Sequence, residues 1–473
     1  MAADCKLRDS STVAAQWIRA AYHDMSTHNV EDGTGGLDGS IRFELTDRPQ
    51  NVGVGMFFTI AELSNFETPY VSFADLLSMA AIAGYGSCGG PSVASIPFRA
   101  GRIDAPAAGP ATVPEPQQDL ESHIASFKRQ GFTQSEMITL VACGHTVGGV
   151  RKIDFETITP DQDFALFHGA QTYDKSVVTG YLDGTTPNPL VVSPNVTMRS
   201  DLRIFGSDGN VTMQRLAQGD TFNTECASLI ERMIDTVPKE VTLTEPILPI
   251  EYKVGHTRLY PSKDSNSLVL ATSLRTLDRN DKRTITLFWQ GKAGEAGSIP
   301  STSVLQLSND GQNGFSYLGI SATKYHFQLT VNSTTSPSKF WFEIDEGDGS
   351  EKKKIDNGGN GFTVGQDEVL FDPVRSQRVL DSQESFSLFT LAVKSTGKTV
   401  AMRVFEPVTG GLPIVTVIEP ALDTTYPPTP GYTFLSARIS IEATSVDLLV
   451  DGEVVQEFVD PIEILTRVFP NSV

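Results

Sequence analysis

The chain has 473 residues, 39% of them hydrophobic, and a formal net charge of -20. That length exceeds one ordinary core and predicts two or three domains, and the apolar content excludes a disordered chain. So acidic a surface repels phosphate backbones and argues against nucleic acid and anionic membranes as partners, and no run of about 18 apolar residues is present to span a bilayer.

Residues 1–240 read as helical. Residues 11–24 place Val13, Trp17, Ile18, Ala21 and Tyr22 at helical spacing. Residues 72–84 open with Ser72 and Asp75 in a capping-box arrangement and end on a glycine. Residues 133–146 open with a second box, Thr133 and Glu136, and residues 224–235 form a further amphipathic helix. Gly/Pro-rich loops such as 32–40 and 105–116 lie between them.

After about residue 245 the pattern changes to short alternating runs, among them 283–290, 324–332, 339–345, 385–393, 399–407, 437–443 and 445–452. Gly, Asn, Asp and Ser turns separate them, which is the signature of antiparallel β-sandwiches. The expected fold is therefore multidomain: a mainly α domain over 1–240, then all-β sandwich-like domains over 245–372 and 373–473, or one β region over 245–473. Trp289, Phe340, Trp341 and Phe342 read as core of that region.

The four cysteines, Cys5, Cys88, Cys143 and Cys226, admit three full pairings, and the lack of C-x-x-C argues against zinc or iron–sulfur sites. Sequons at Asn195, Asn210 and Asn332, with the acidic charge, point to a secreted glycoprotein. The sequence opens almost directly on a helix and shows no signal peptide, which suggests a trimmed N-terminus.

Three local patterns carry chemistry. Arg19 and His23 stand at i and i+4 on one helix, so both project to one side. A histidine near neutrality can take a proton from a bound peroxide and return it to the leaving oxygen, while a guanidinium stabilises the charge that builds. The loop DGTGGLDGS (32–40) offers Asp38 and Ser40 oxygens at two-residue spacing, suited to a hard cation such as Ca2+. The run LVACGHTVGGV (140–150) ends an apolar helix in His145, ringed by small residues that let a planar group approach the backbone. Taken singly, each has an ordinary reading: a surface pair, an Asp-Gly turn, a satisfied core histidine.

Together and in order, these patterns resemble the plant, fungal and bacterial haem peroxidase superfamily over roughly residues 5–235. IRAAYHD (18–24) looks like its distal-helix motif and GGLDGSIRFE (35–44) like its distal calcium loop. SFADLLSMA (72–80) with GGPSVASIPFRAGRIDA (89–105) resembles its central stretch, and LVACGHTVGGVR (140–151) its proximal-helix motif. TYD (172–174) and RSD (199–201) fall where the family carries a proximal cation ligand and the aspartate behind the iron-ligating histidine.

The resemblance implies haem b with His145 as axial iron ligand, Asp201 accepting its Nδ1–H, His23 as acid–base catalyst and Arg19 as charge stabiliser. Asn51 would fix the His23 tautomer, and Tyr22 would pack beside the haem where the family has Phe or Trp. Asp24, Gly36, Asp38 and Ser40 would bind a distal Ca2+, and Thr146 and Asp174 a second, proximal cation. Cys5 would pair with Cys88. Cys143 reads as a buried free thiol, with Cys226 as its alternative partner.

Departures from the family narrow the expectation. Thr12, Gln16 and Arg151 stand where manganese peroxidases place acidic ligands, which argues against Mn2+ oxidation. Leu140 stands about where lignin peroxidases carry a surface tryptophan. Phe167 or Leu166 falls where the cytochrome c and ascorbate types often carry a tryptophan, and Trp17 reads as packing. A fungal-like intermediate group is implied, with H2O2 and a small phenolic or aromatic reductant as substrates. The family usually has more residues before the distal helix, and their lack would weaken haem retention. The rival reading is a degenerate peroxidase scaffold whose β-rich half contacts carbohydrate or the cell wall.

Overall fold

Thr12 starts the first helix: its Oγ1 accepts from the Ala15 N–H at 3.2 Å, and α1 runs Val13–Met25. The computed structural model describes residues 5–46, 48–89, 96–307, 321–380, 384–394, 397–429 and 431–461; residues 90–95 of the central stretch quoted above lie outside them. The chain divides into two compact units, the first built mainly on Met1–Leu248 and the second on the residues from Pro249 onward.

In the first unit α1 packs on α2 (Val54–Ser64) and α3 (Phe73–Gly89). It buries Trp17 completely, with the indole N–H donating to Glu62 Oε2 at 3.2 Å. The expected box at Ser72 forms by half. Ser72 Oγ accepts from the Asp75 N–H, but the Asp75 carboxylate turns away to the Gly101 and Arg102 amides and the Arg102 guanidinium. Arg102 is buried, and its charge draws the carboxylate more strongly than one helix amide does. Asp104 takes over the cap, accepting from the Phe73 and Ala74 amides.

α4 (Leu120–Arg129) leads to α5 (Gln134–Gly144), which opens on a complete Thr133–Glu136 capping box and ends at His145. A short hairpin, Gly149–Arg151 with Phe164–Leu166, follows. Then come α6 (Ser176–Asp183), α7 (Pro189–Val192), α8 (Ser200–Phe205), α9 (Val211–Leu216) and α10 (Thr221–Ile234).

Two disulfides join distant segments: Cys5–Cys88, with Cα atoms 5.3 Å apart, and Cys143–Cys226, 5.5 Å apart. The second corrects the expectation of a free thiol at Cys143. α5 and α10 pack together, and both cysteines are buried on the facing sides within bridging range. No helix among the described residues is long and apolar enough to cross a membrane.

Among the described residues the second unit contains four antiparallel sheets. In the first, Ala322–Asn332 pairs with Ser267–Thr276; in the second, Pro337–Asp345 pairs with Thr284–Gly291. Their inner faces share one core that includes Leu270, Tyr325, Phe327, Leu287, Phe340 and Phe342. The third sheet centres on Ser385–Val393 with Thr433–Ser440, the fourth on Val400–Glu406 with Ser445–Val450, and Phe389, Leu391, Met402 and Leu448 lie between them. The first pair of sheets ends at Thr363, and the next begins at Val369.

Trp341 corrects a second expectation. Alternation along its strand buries Phe340 and Phe342 and turns Trp341 outward, half-buried. There it stacks against Phe288 (centroids 5.9 Å apart, planes 9° apart) from the strand on one side. Lys354 Nζ, from the strand on the other side, lies 5.4 Å from its ring centroid.

Candidate active site

The distal side is built on α1. One helical turn separates Arg19 from His23, so both leave the same face. The Arg19 guanidinium donates to the carbonyls of Gln50 (2.8 Å) and Val52 (3.1 Å), which hold it still. Burial lowers its pKa to about 10, partly offset by Asp154, so it stays charged at neutral pH.

A chain of three side chains sets the His23 tautomer. Glu44, 1% exposed, accepts from the Gly109 N–H (2.9 Å) and from Asn51 Nδ2 (3.1 Å). A carboxylate only accepts, so Asn51 presents its amide to Glu44 and its Oδ1 to His23 Nδ1, 2.7 Å away. His23 therefore carries its hydrogen on Nδ1 and its lone pair on Nε2. Burial, then the Arg19 cation, push the His23 pKa down to about 3, so the ring is neutral. Tyr22 lies beside it edge-on (6.1 Å) and stacks on Phe127 (5.9 Å). Its buried hydroxyl makes no well-formed hydrogen bond, although Gln130 and Arg129 act on it.

The proximal side repeats this logic. His145 caps α5, and its Nδ1–H donates to Asp201 Oδ2 at 2.8 Å. The same oxygen accepts from Asn188 Nδ2 at 2.7 Å. Nδ1 is thereby committed and Nε2 keeps its lone pair. Asp201 is 1% exposed, but the His145 side chain is 31% exposed. Phe167 stacks on the imidazole at 4.4 Å, with planes 13° apart. Beside it Gly144 faces open space, with no atom within 4 Å of where a Cβ would stand.

The loop after α1 closes on Asp24. Its carboxylate accepts from the backbone amides of Asp38 (2.9 Å), Gly39 (2.8 Å) and Ile41 (2.9 Å). Gly36, at φ +120°, brings the loop against Thr236, where a Cβ would lie 2.6 Å from a carbonyl oxygen. Burial pushes the Asp24 and Asp38 carboxyls up, and their mutual repulsion adds to the Asp24 shift. Ser40 Oγ is buried against Asp38 without a well-formed hydrogen bond. Among the described residues no three His, Cys, Asp or Glu side chains converge as a metal site. A cation here would need hydroxyl and carbonyl oxygens beside the two carboxylates. Thr146 and Asp174 meet through the backbone: Thr146 Oγ1 donates to the Asp174 carbonyl and accepts from its N–H.

The sequence model of the family described as "Peroxidase" matches residues 2–209. L-ascorbate peroxidase 5, peroxisomal, of Arabidopsis thaliana is 31% identical over 198 residues, 41% of this chain and 67% of that protein. The chain belongs to the haem peroxidase family. The mitochondrial cytochrome c peroxidase of Cryptococcus neoformans is 30% identical to this peroxidase over 145 residues, 30% of this chain and 37% of the relative. A WSC domain-containing protein of Arthroderma benhamiae is 37% identical over 284 residues, 59% of this chain. That alignment is longer than the stretch the family model covers, yet this peroxidase spans only 39% of that relative.

The family implies a resident haem, and the donor set fits one. Both histidines keep a free Nε2, the His145 ring is partly open, and Gly144 leaves open space beside it. Two buried supports escape sequence reasoning in this peroxidase. Glu44 lies at the end of the quoted loop segment, where nothing local marks it as a partner of Asn51. Asn188 reads as a helix cap, since its Oδ1 accepts from the Leu190 N–H at 2.9 Å.

Proposed function

We propose that this chain reduces H2O2 with haem b held by His145 and oxidises small phenolic or aromatic donors in one-electron steps. The observation that carries this reading is the matched pair of tautomer-setting chains, Glu44–Asn51–His23 and Asn188–Asp201–His145. Haem, when bound, supplies the redox chemistry. Asp201 holds the His145 hydrogen at Nδ1, so Nε2 keeps the lone pair that would hold the haem iron. His23 Nε2 takes a proton from one peroxide oxygen and returns it to the leaving oxygen. Arg19, anchored by two carbonyls, stabilises the negative charge on the parting oxygens. Tyr22, backed by Phe127, lies edge-on beside His23.

The distal loop is proposed to hold one Ca2+ through Asp24, Gly36, Asp38 and Ser40. A cation there would relieve the repulsion between two buried carboxyls and engage the Ser40 hydroxyl. Two disulfides suit an oxidising compartment and support the reading of a secreted protein. The scaffold reading finds less support. Trp341, the aromatic turned outward from its strand, is already engaged within the sheet by Phe288 and Lys354.

The test is the absorption spectrum of purified protein supplied with hemin, before and after H2O2. A Soret band that changes on peroxide and recovers with a phenolic donor is the expected result. In His23→Leu the band should persist while the peroxide-driven change slows by about 10²–10⁴-fold, the usual share of a positioned acid–base group. No Soret band, or an unchanged rate in His23→Leu, overturns the proposal.

A further inference from the structure

We infer that His168 takes the place of the proximal cation in this chain. The family resemblance assigns that cation to Thr146 and Asp174, and three of their oxygens, Thr146 Oγ1, the Asp174 carbonyl and Asp174 Oδ1, are already engaged. Thr146 Oγ1 donates to the Asp174 carbonyl at 2.5 Å and accepts from the Asp174 N–H at 3.0 Å, and Asp174 Oδ1 accepts from the Ser176 N–H at 2.6 Å.

Two backbone carbonyls, Thr146 O and Thr172 O, converge on a single atom. That atom is His168 Nε2, 2.6 Å from the first and 3.0 Å from the second. Carbonyls only accept, so Nε2 bears a hydrogen and donates to both. The imidazole is buried, with 3% of the residue exposed.

A cation would draw together electronegative oxygens from two separate segments, which otherwise repel. One bifurcated N–H does the same here. It ties the residue after His145 to the residue before Tyr173, and an ion placed between these carbonyls would collide with the imidazole. The preceding residue, Phe167, lies flat against the His145 ring. The dipeptide 167–168 thus braces His145 twice, by a stacked ring and through the Thr146 carbonyl. His168 is a positioning residue: it acts on His145 through Thr146.

The first test counts calcium, by elemental analysis of the full chain loaded with Ca2+ and dialysed into metal-free buffer. At most one tightly held ion per chain is expected, sensitive to Asp38→Ala and indifferent to Thr146→Val. Two ions per chain, one of them lost in Thr146→Val, overturn the inference. This count does not depend on haem, so it stands apart from the proposed activity.

The second test rests on His145 as the iron ligand and reads the iron–imidazole stretching band of the ferrous protein by resonance Raman. His168→Ala should shift that band, and His168→Gln, which keeps a side-chain donor, should restore it toward the original position. A band unmoved by His168→Ala overturns the positioning role.

Discussion

Asn188 Nδ2 donates to Asp201 Oδ2 at 2.7 Å, and that oxygen also takes the Nδ1–H of His145 at 2.8 Å. Asn188 is fully buried, and its own carbonyl oxygen caps α7. One side chain therefore anchors a helix start and orients the carboxylate behind the candidate iron ligand.

Asn188→Ala should leave Asp201 free to rotate and weaken its hold on His145. Loss of such an outer partner typically costs about 10–100-fold in metal affinity or activity. Haem transfer to apomyoglobin would measure it, with folding checked by circular dichroism. A transfer rate equal to that of the unsubstituted protein would remove Asn188 from the site.

Glu44→Ala should act on the distal side alone. Without the carboxylate, Asn51 can reverse its amide and offer N–H to His23, which favours the tautomer whose Nε2 already carries hydrogen. The expected result is haem binding intact and a slowing of the peroxide reaction by about 10-fold or more, part of the ~10²–10⁴-fold an acid–base group supplies. Stopped-flow absorbance after H2O2 mixing reads this directly. Full speed in Glu44→Ala would show that Asn51 keeps its orientation unaided.

The Cys143–Cys226 bridge closes a sequence separation of 83 residues between α5 and α10. Replacing both cysteines by alanine should lower stability by about 2–4 kcal/mol, chiefly by freeing the unfolded chain. Urea unfolding monitored by tryptophan fluorescence gives the shift in midpoint. The same midpoint in both proteins would mean that the bridge adds nothing beyond the packing of the two helices.

In the second unit, Asp367 bridges Lys292 Nζ (2.7 Å) and Lys394 Nζ (2.6 Å). Burial pushes its carboxyl up, but the contacts with both lysines outweigh this and bring its pKa down to about 2. A carboxyl depressed on folding stabilises the fold above its unfolded pKa of about 4, and the contribution disappears as pH falls through about 2. Asp367→Asn should flatten the acid limb of stability between those values, seen as melting temperatures that change less from pH 4 to pH 2. An equally steep limb in the variant would assign acid sensitivity to other carboxyls.

Some of this protein is written into local sequence. The 3.6-residue period of 11–24 sets Arg19 beside His23 on a helix whatever the rest of the fold does. Thr133 and Glu136 cap α5 through atoms three residues apart, and strict alternation over 324–332 marks a strand before any sheet exists. The order of the peroxidase motifs is likewise legible without coordinates. Tertiary structure decided the rest, because it depends on partners remote in sequence. The Asp75 carboxylate turns from the helix cap to Arg102, 27 residues away, and Cys143 meets Cys226 only because α5 and α10 pack. Asp201 stands 56 residues from His145, and its support Asn188 looks locally like a helix cap. His168 looks like any buried histidine until Thr146 and Thr172 converge on it. A buried polar group must find a partner, and the folded chain alone determines which partner is near enough to satisfy it.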